Sequence, residues 1–167
     1  MAFVVESGAG LSTATSYLSV ADADTYHAGH GAPAAWTAAT TATKEGALMQ
    51  ATRYLDAHFT WRGSIAVEAQ ALGWPRSFAV DDEGRDVDDE SVPIRVEEAT
   101  ALLALYHLSS PLDAPYARGG EIRRQRVGSV EVEYADYAPA APWMPFVRGL
   151  VRGLYEGSSS QVTLLRA

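Results

Sequence analysis

The stretch KEGALMQATRYLDAHFTWRGSIAVEAQALGWPR, residues 44–76, decides the fold of this 167-residue chain. Its apolar and small residues recur at steps of three or four, at Leu48, Ala51, Leu55 and Phe59. That is the period of an α-helix with one face in a core. We therefore predict a helix from about Thr43 to Phe59, with Thr41 or Thr43 as its N-cap.

Two tryptophans follow this helix in the short segments WRG and LGWPR, which glycine and proline interrupt. A large ring in such a segment can hold an irregular loop against the helix. We interpret the whole stretch as a scaffold without catalytic character, formed by Leu55, Phe59, Trp61, Trp74 and Arg76.

Further helices are predicted on both sides of this scaffold. Ser19 with Asp22 resembles a capping box and starts a short helix that ends near Gly29 or Gly31. A second short helix carries Trp36, and Pro93 opens the helix IRVEEATALLALYHLS, the most hydrophobic of the chain. This last helix is predicted to form the centre of the core.

The sequence period changes to two at about residues 121–135, which predicts a β-hairpin. Val130 and Val132 alternate with glutamates on one arm, and Gly128 with Ser129 can form the turn. The other arm carries the basic cluster Arg123, Arg124 and Arg126. Opposite charges facing each other across the hairpin favour this pairing.

The predicted fold class is mainly α, a small helical bundle with a β-hairpin and extended N- and C-terminal arms. Residues 1–18 are expected to form a loosely ordered N-terminal arm, 19–155 the helical domain, and 156–167 a C-terminal tail. A final short helix, FVRGLVRGLYE, precedes that tail.

Composition excludes several kinds of protein. The formal net charge is -8, which is the opposite of a broad phosphate-binding surface. There is no cysteine, so disulfides and thiolate metal sites are excluded. The N-terminus MAFVVESGAG predicts no secretory signal, and no apolar run approaches the roughly 20 residues that span a bilayer. We expect no membrane association.

No pattern of catalytic, cofactor-binding or metal-ligating residues stands out. His27 and His30 are three positions apart, but their spacing specifies no third ligand. Residues 81–90, DDEGRDVDDE, contain seven acidic residues without the ligand order of a calcium loop. We expect no cofactor and no enzymatic activity. The two histidines keep a small metal enzyme as a third possibility after the two functions considered below.

The order of the segments SYLSVADADTY, KEGALMQATRYLDAHFTWRG, QALGWPR, VPIRVEEATALLALYHLS and RVGSVEVEYAD resembles the head-tail connector adaptors of tailed bacteriophages. Some members of that family carry the label DnaT-like single-strand DNA-binding protein. The resemblance covers about residues 16–155, and its specific part is ATRYLD followed by WRG and QALGWPR. The segment VPIRVEEAT is more acidic than the usual family pattern.

The resemblance implies a structural virion protein in the neck of the phage, made in the bacterial cytoplasm. Its copies would form a dodecameric ring between the portal protein and a stopper or other tail-side connector. DNA would pass through the lumen without specific binding, and an acidic lumen would suit that passage. The acidic loop 81–90 would face either the lumen or a partner.

Two surfaces are candidates for contacts in such a ring. The tail from Gly157 to Ala167 carries Val162, Leu164 and Leu165, which could dock on the portal by strand addition. The arginines at 123, 124 and 126 could meet carboxylates on a neighbouring subunit or on the next ring. The alternative function is a DnaT-like single-stranded-DNA-binding module, in which these arginines and nearby tyrosines would bind a strand.

Overall fold

A computed structural model of the chain describes residues 2–112, 124–127, 130–133 and 144–156. These residues form five helices and two small antiparallel sheets. The helices are α1 (Val20–Gly29), α2 (Ala34–Thr37), α3 (Thr41–His58), α4 (Ile94–Ser109) and α5 (Pro145–Leu150). The strands are β1 (Ser64–Ile65), β2 (Arg76–Ser77), β3 (Arg124–Val127) and β4 (Val130–Glu133). The prediction of a mainly helical fold with a β-hairpin is confirmed.

The core lies between α3 and α4, whose packing is the most extensive in the described part of the chain. Helix α3 contributes Leu48, Ala51 and Leu55, and α4 contributes Val96 and Leu103, all fully buried. Small residues on both helices allow their backbones to approach closely, so the pair forms the rigid centre to which the other elements attach.

Capping explains where the helices begin. The Ser19 hydroxyl accepts a hydrogen bond from the backbone N–H of Asp22, which confirms the predicted start of α1. The cap of α3 is Thr40, whose hydroxyl accepts from the N–H of Thr43. The predicted caps Thr41 and Thr43 were therefore wrong, because a run of four candidate threonines within 37–43 leaves the sequence pattern ambiguous.

The N-terminal lead-in differs from the expected loosely ordered arm. The Glu6 carboxylate is buried and accepts hydrogen bonds from the backbone N–H groups of Gly8, Gly10 and Leu11 at 2.8–3.0 Å. A Cβ on Gly8 would lie 1.9 Å from the carbonyl oxygen of Glu90, so glycine permits the close packing. The glycines that suggested flexibility instead let this segment pack on the body.

The short ribbon β1–β2 was not predicted. It pairs Ser64 with Ser77 and Ile65 with Arg76, and it brings the two tryptophan-bearing segments together. Each strand has only two residues, which is too short for a period-two pattern to appear in the sequence. No helix among the described residues combines the length and the apolar character needed to cross a bilayer.

Candidate interaction surfaces

The Asp56 carboxylate joins four segments of the chain at the end of α3. It accepts hydrogen bonds from the Tyr17 hydroxyl, from Nε1 of Trp61 at 2.9 Å and from the N–H of Gly73 at 3.0 Å. The Tyr17 hydroxyl in turn accepts from the backbone N–H of Trp74 at 3.2 Å. Burial and the neighbouring Asp56 carboxylate raise the pKa of Tyr17 well above its ordinary value. The loops around both tryptophans are thereby fixed to the helix.

The predicted scaffold residues lie together around this hub. Leu55, Phe59, Trp61 and Trp74 are all at most 5% exposed. The rings of Phe59 and Trp61 stack at 5.4 Å, and those of Trp61 and Trp74 meet edge-on at 5.8 Å. Edge-on and offset contacts of this kind stabilise aromatic clusters beyond the area they bury.

Arg76 fastens the same region from its outer side. Its Nε donates to the carbonyl oxygen of Arg62 at 2.6 Å, and its two terminal nitrogens donate to the carbonyls of Gly73 and Gly63 at 3.1 and 2.7 Å. The planar fork of a guanidinium suits such a set of acceptors, whereas a lysine could not reach all three. The guanidinium of Arg76 therefore serves to hold the backbone of its own chain.

Phe78, two residues beyond Arg76, is exposed, in contrast to the buried aromatic residues of the scaffold. Its side chain is 88% exposed, and its backbone adopts a φ of +60°. A bulky residue with positive φ is unusual and carries a conformational cost. Ile65, Val67 and Val80 in the same ribbon region are also exposed, by 36–48%. The sequence alone gave no signal for this exposure.

The acidic loop of residues 81–90 folds back on itself. Asp81 accepts from the N–H groups of Glu83 and Arg85, both at 2.9 Å, and these bonds hold its pKa below the ordinary value. Gly84 stands at the tip with a φ of +80°, as expected for a tight turn. The carboxylates of Asp86 and Glu90 have no partner among the described residues. The orientation of the loop toward a lumen or a partner stays a prediction.

The β-hairpin is present where the change of period predicted it. Strand β3 pairs with β4 so that Arg124 lies opposite Glu133 and Arg126 opposite Glu131. The expected pairing of opposite charges is confirmed at these two positions. Residues 124, 126, 131 and 133 thus share one face, and the other face holds Gln125, Val127, Val130 and Val132. Arg123 lies outside the described residues.

The candidate portal-docking residues Val162, Leu164 and Leu165 also lie outside the described part of the chain. The described chain does lead toward them from a fixed point, because the N–H of Glu156 donates to the carbonyl of Thr60 at 2.7 Å. Glu156, the last described residue before this segment, therefore lies beside the end of α3. The role of the tail stays a prediction.

Most basic side chains of the helical body make ion pairs or hydrogen bonds within the chain; Arg53 is the exception among the described residues. Lys44 pairs with Asp24 at 2.8 Å, and Arg152 pairs with Asp82 at 3.2 Å. Arg62 donates to the carbonyl oxygen of Val80. Because these cations already have acceptors, the described body offers no row of free charges that could follow a phosphate backbone.

The two histidines of the possible metal site do not converge. His27 is buried against the ring of Trp36 at 4.5 Å, whereas His30 is exposed and its Nδ1 contacts the carbonyl oxygen of Tyr26 at 2.7 Å. Across residues 2–112 and 144–156 and the hairpin strands, no group of three or more candidate ligands is placed to hold a metal ion.

An open groove of about 950 Å³ lies between the N-terminal lead-in and α3. Val4, Ala14, Met49 and Leu72 line it, and Arg53 supplies a positive charge. Its mostly apolar lining suits a peptide segment better than a nucleic-acid backbone.

Comparison with curated proteins found no match, and comparison with solved structures found none either. A family model matches residues 1–167, and the family is described as "Putative DnaT-like ssDNA binding protein". The DnaT-like label that accompanied the sequence resemblance is therefore confirmed, while the connector role stays a prediction. The chain belongs to this DnaT-like family over its whole length.

Proposed function

We propose that the chain is a structural adaptor of the head-to-tail connector of a tailed bacteriophage. In this role its copies form a ring beneath the portal protein, join the portal to a stopper or tail-side connector, and surround the DNA exit channel in the virion neck. The observation that carries the proposal is the distribution of charge. An acidic chain in which most described body cations are held by ion pairs or hydrogen bonds within the chain is suited to stand beside DNA without holding it.

The unpartnered surfaces also support an assembly subunit. A closed ring is built from heterologous contacts, so each subunit needs two different faces that fit each other. The chain carries exposed apolar residues around Phe78, and a separate hairpin whose sequence alternates between valine and glutamate on one strand. A protein that acts alone would have little reason to keep Phe78 exposed on strained backbone.

In this proposal the segment from Gly157 to Ala167 docks on the portal through Val162, Leu164 and Leu165. Deletion of residues 157–167 should abolish binding to the portal while the helical body stays folded. Circular dichroism would verify the fold, and sedimentation with the portal would measure binding. Full binding by the truncated chain would contradict this role.

Single-stranded-DNA binding is the second candidate, and the family description favours it directly. Its binding residues would be Arg123, Arg124 and Arg126, the one basic cluster in the sequence. Three phosphate contacts would give a slope of about -2 for the logarithm of affinity against the logarithm of salt concentration. Glu133 and Glu131, which the strand register sets opposite Arg124 and Arg126, oppose this function, because their negative charges offset those of the arginines.

One titration separates the two candidates. Labelled oligothymidine is added to the full chain at low and at moderate salt, with a variant carrying glutamine at positions 123, 124 and 126 as the control. The adaptor function predicts no binding at either salt concentration. Salt-sensitive binding that the triple variant loses would support the second candidate and contradict the first.

A further inference from the structure

Phe78 is a large apolar side chain that the body of the protein holds in an exposed position. Its side chain is 88% exposed, and its backbone adopts a φ of +60°. The residues on both sides are fixed, because Arg76 donates to three backbone carbonyls and Ala79 is buried. The ring therefore stands on a rigid support, at a conformational cost that its small buried fraction does not offset.

The groove between the N-terminal lead-in and α3 is a concave surface of matching character. Val4, Met49 and Leu72 contribute to its apolar lining, and its volume is about 950 Å³. A cavity of about 150 Å³ is enough to bind benzene, so the groove can hold a phenyl ring and parts of the residues beside it. None of residues 73–90 lines the groove, so each copy presents Phe78 and the groove as two separate surfaces.

We propose that Phe78 of one copy inserts into the groove of a neighbouring copy. The contact rests on the proposed ring, for which it names the two complementary surfaces. A subunit that carries both surfaces can repeat the same contact from copy to copy, as a closed ring requires. Burial of the phenyl ring in the groove would offset the cost of its left-handed backbone.

The groove carries one positive charge that is not engaged within the chain. Arg53 lines the groove and makes no ion pair or hydrogen bond with the described residues. Asp56 also lines the groove, but its carboxylate already accepts three hydrogen bonds from its own chain. The groove therefore favours an apolar occupant that has a carboxylate beside it.

A second copy of the chain meets this requirement. The backbone of Asp86 pairs with Val80 in an antiparallel bridge, two residues beyond Phe78. The side chain of Asp86 is exposed and has no partner among the described residues. Entry of Phe78 into the groove would bring this carboxylate toward Arg53 of the neighbouring copy. Charge complementarity thus identifies a second copy as the occupant.

Two complementary variants test the contact in analytical ultracentrifugation. Phe78→Asn removes the ring at a position with positive φ, which asparagine accepts, and Ala57→Trp fills the groove from an exposed position of α3. Each variant alone should associate about 10- to 100-fold more weakly than the wild type, since each lacks one of the two surfaces. Mixed in equal amounts, they should form a one-to-one dimer with wild-type affinity. In that dimer one variant supplies Phe78 and the other supplies the groove.

The matched controls alter comparable residues elsewhere on the body. Phe146→Asn changes another exposed phenylalanine, and Ala42→Trp adds the same bulk to α3 at about 22 Å from Ala57 along the helix axis. Both controls should associate like the wild type, and circular dichroism verifies the fold of every variant. Arg53→Gln should weaken association about two- to fivefold and reduce its dependence on salt.

Three results would overturn the proposal. The first is a wild-type chain that stays monomeric at its highest soluble concentration. The second is association of folded Phe78→Asn or Ala57→Trp that equals the wild type, which would assign the groove to another partner. The third is the absence of a dimer in the mixture, which would show that Phe78 contacts some other surface.

Electron microscopy with a portal protein separates this contact from the proposed function. Rings of Phe78→Asn on the portal would overturn the contact and keep the adaptor function. A dimer in the mixture of the two variants, without a wild-type ring on the portal, would keep the contact and overturn the adaptor function.

Discussion

Trp74 and Phe78 lie four residues apart on the two sides of strand β2, yet they have opposite environments. Trp74 is fully buried, and its backbone N–H donates to the Tyr17 hydroxyl. Phe78 is 88% exposed, and its backbone has a positive φ. The first aromatic residue stabilises the fold, whereas the second carries a conformational cost and buries little of its side chain against the described residues. The difference indicates that residues 74–78 have two functions. Trp74 completes the core, and Phe78 is available for contact with another molecule.

The largest expected loss of stability comes from removal of Asp56, which holds the buried region around Trp74. Asp56→Ala leaves the Tyr17 hydroxyl, Trp61 Nε1 and the Gly73 N–H without their acceptor. The free energy of unfolding should fall by roughly 3 to 5 kcal/mol. Urea denaturation measures it, and the exposed Asp86→Ala serves as control, with no expected change. Equal stability of the two variants would show that the hub does not fix the loop.

Arg76→Lys tests the connection between the two aromatic residues. Lysine cannot reproduce a fork that reaches the carbonyl oxygens of Arg62, Gly63 and Gly73. The expected loss of unfolding free energy is about 1 to 2 kcal/mol. Arg53→Lys, on a residue without a hydrogen-bond partner in the described chain, is the matched control. A loss no larger than that of the control would contradict the role assigned to Arg76.

A smaller, pH-dependent effect is expected at His27. Its Nε2 is buried and has no hydrogen-bond partner among the described residues, and the same holds for Nε1 of Trp74. Burial lowers the pKa of His27 below its ordinary value. As the pH falls below about 6.5, the unfolded chain takes up this proton before the folded chain, so stability is lost.

The unfolding free energy measured from pH 7 to pH 5 should therefore fall more steeply in the wild type than in His27→Leu. His30→Gln should keep the wild-type slope, because His30 is exposed. An identical slope for wild type and His27→Leu would show that the burial of His27 contributes nothing to acid sensitivity.

Substitution of the exposed Phe78 should give the smallest change in the free energy of unfolding, and this change should be a gain and not a loss. Phe78→Asn should keep the unfolding free energy or raise it by up to about 1 kcal/mol, since asparagine accepts positive φ more readily. Phe78→Val should lower stability, because a β-branched residue is poorly tolerated there. A substantial loss in Phe78→Asn would mean that Phe78 stabilises the isolated fold after all.

Local periodicity explains what could be predicted from the sequence. The helical stripe through Leu48 and Leu55, the Ser19 cap and the alternation around Val130 each depend on neighbours within a few positions. Tyr106 follows Val96, Ala99 and Leu103 at helical spacing on α4, yet its side chain is 47% exposed. The spacing of apolar residues shows which side of a helix faces the core. How much of that side is buried depends on the elements that pack against it, which the spacing does not show.

Long-range contacts explain what could not be predicted. The Asp56 hub joins Tyr17 to Trp74 across 57 positions, and no local pattern announces such a pairing. The lead-in packs because the Glu6 carboxylate binds the backbone that follows it. The exposure of Phe78 depends on a two-residue ribbon and one unusual backbone angle. The candidate interaction surfaces depend on these long-range contacts, so the sequence predicted the fold better than it predicted the surfaces.

The proposed connector role is tested most directly by electron microscopy of the full chain mixed with a phage portal protein. Negatively stained particles should show a ring of this chain attached to one face of the portal, as expected for an adaptor with two complementary faces. Portal particles without an added ring would contradict the account, and the DnaT-like single-strand-binding function would then be the one to pursue.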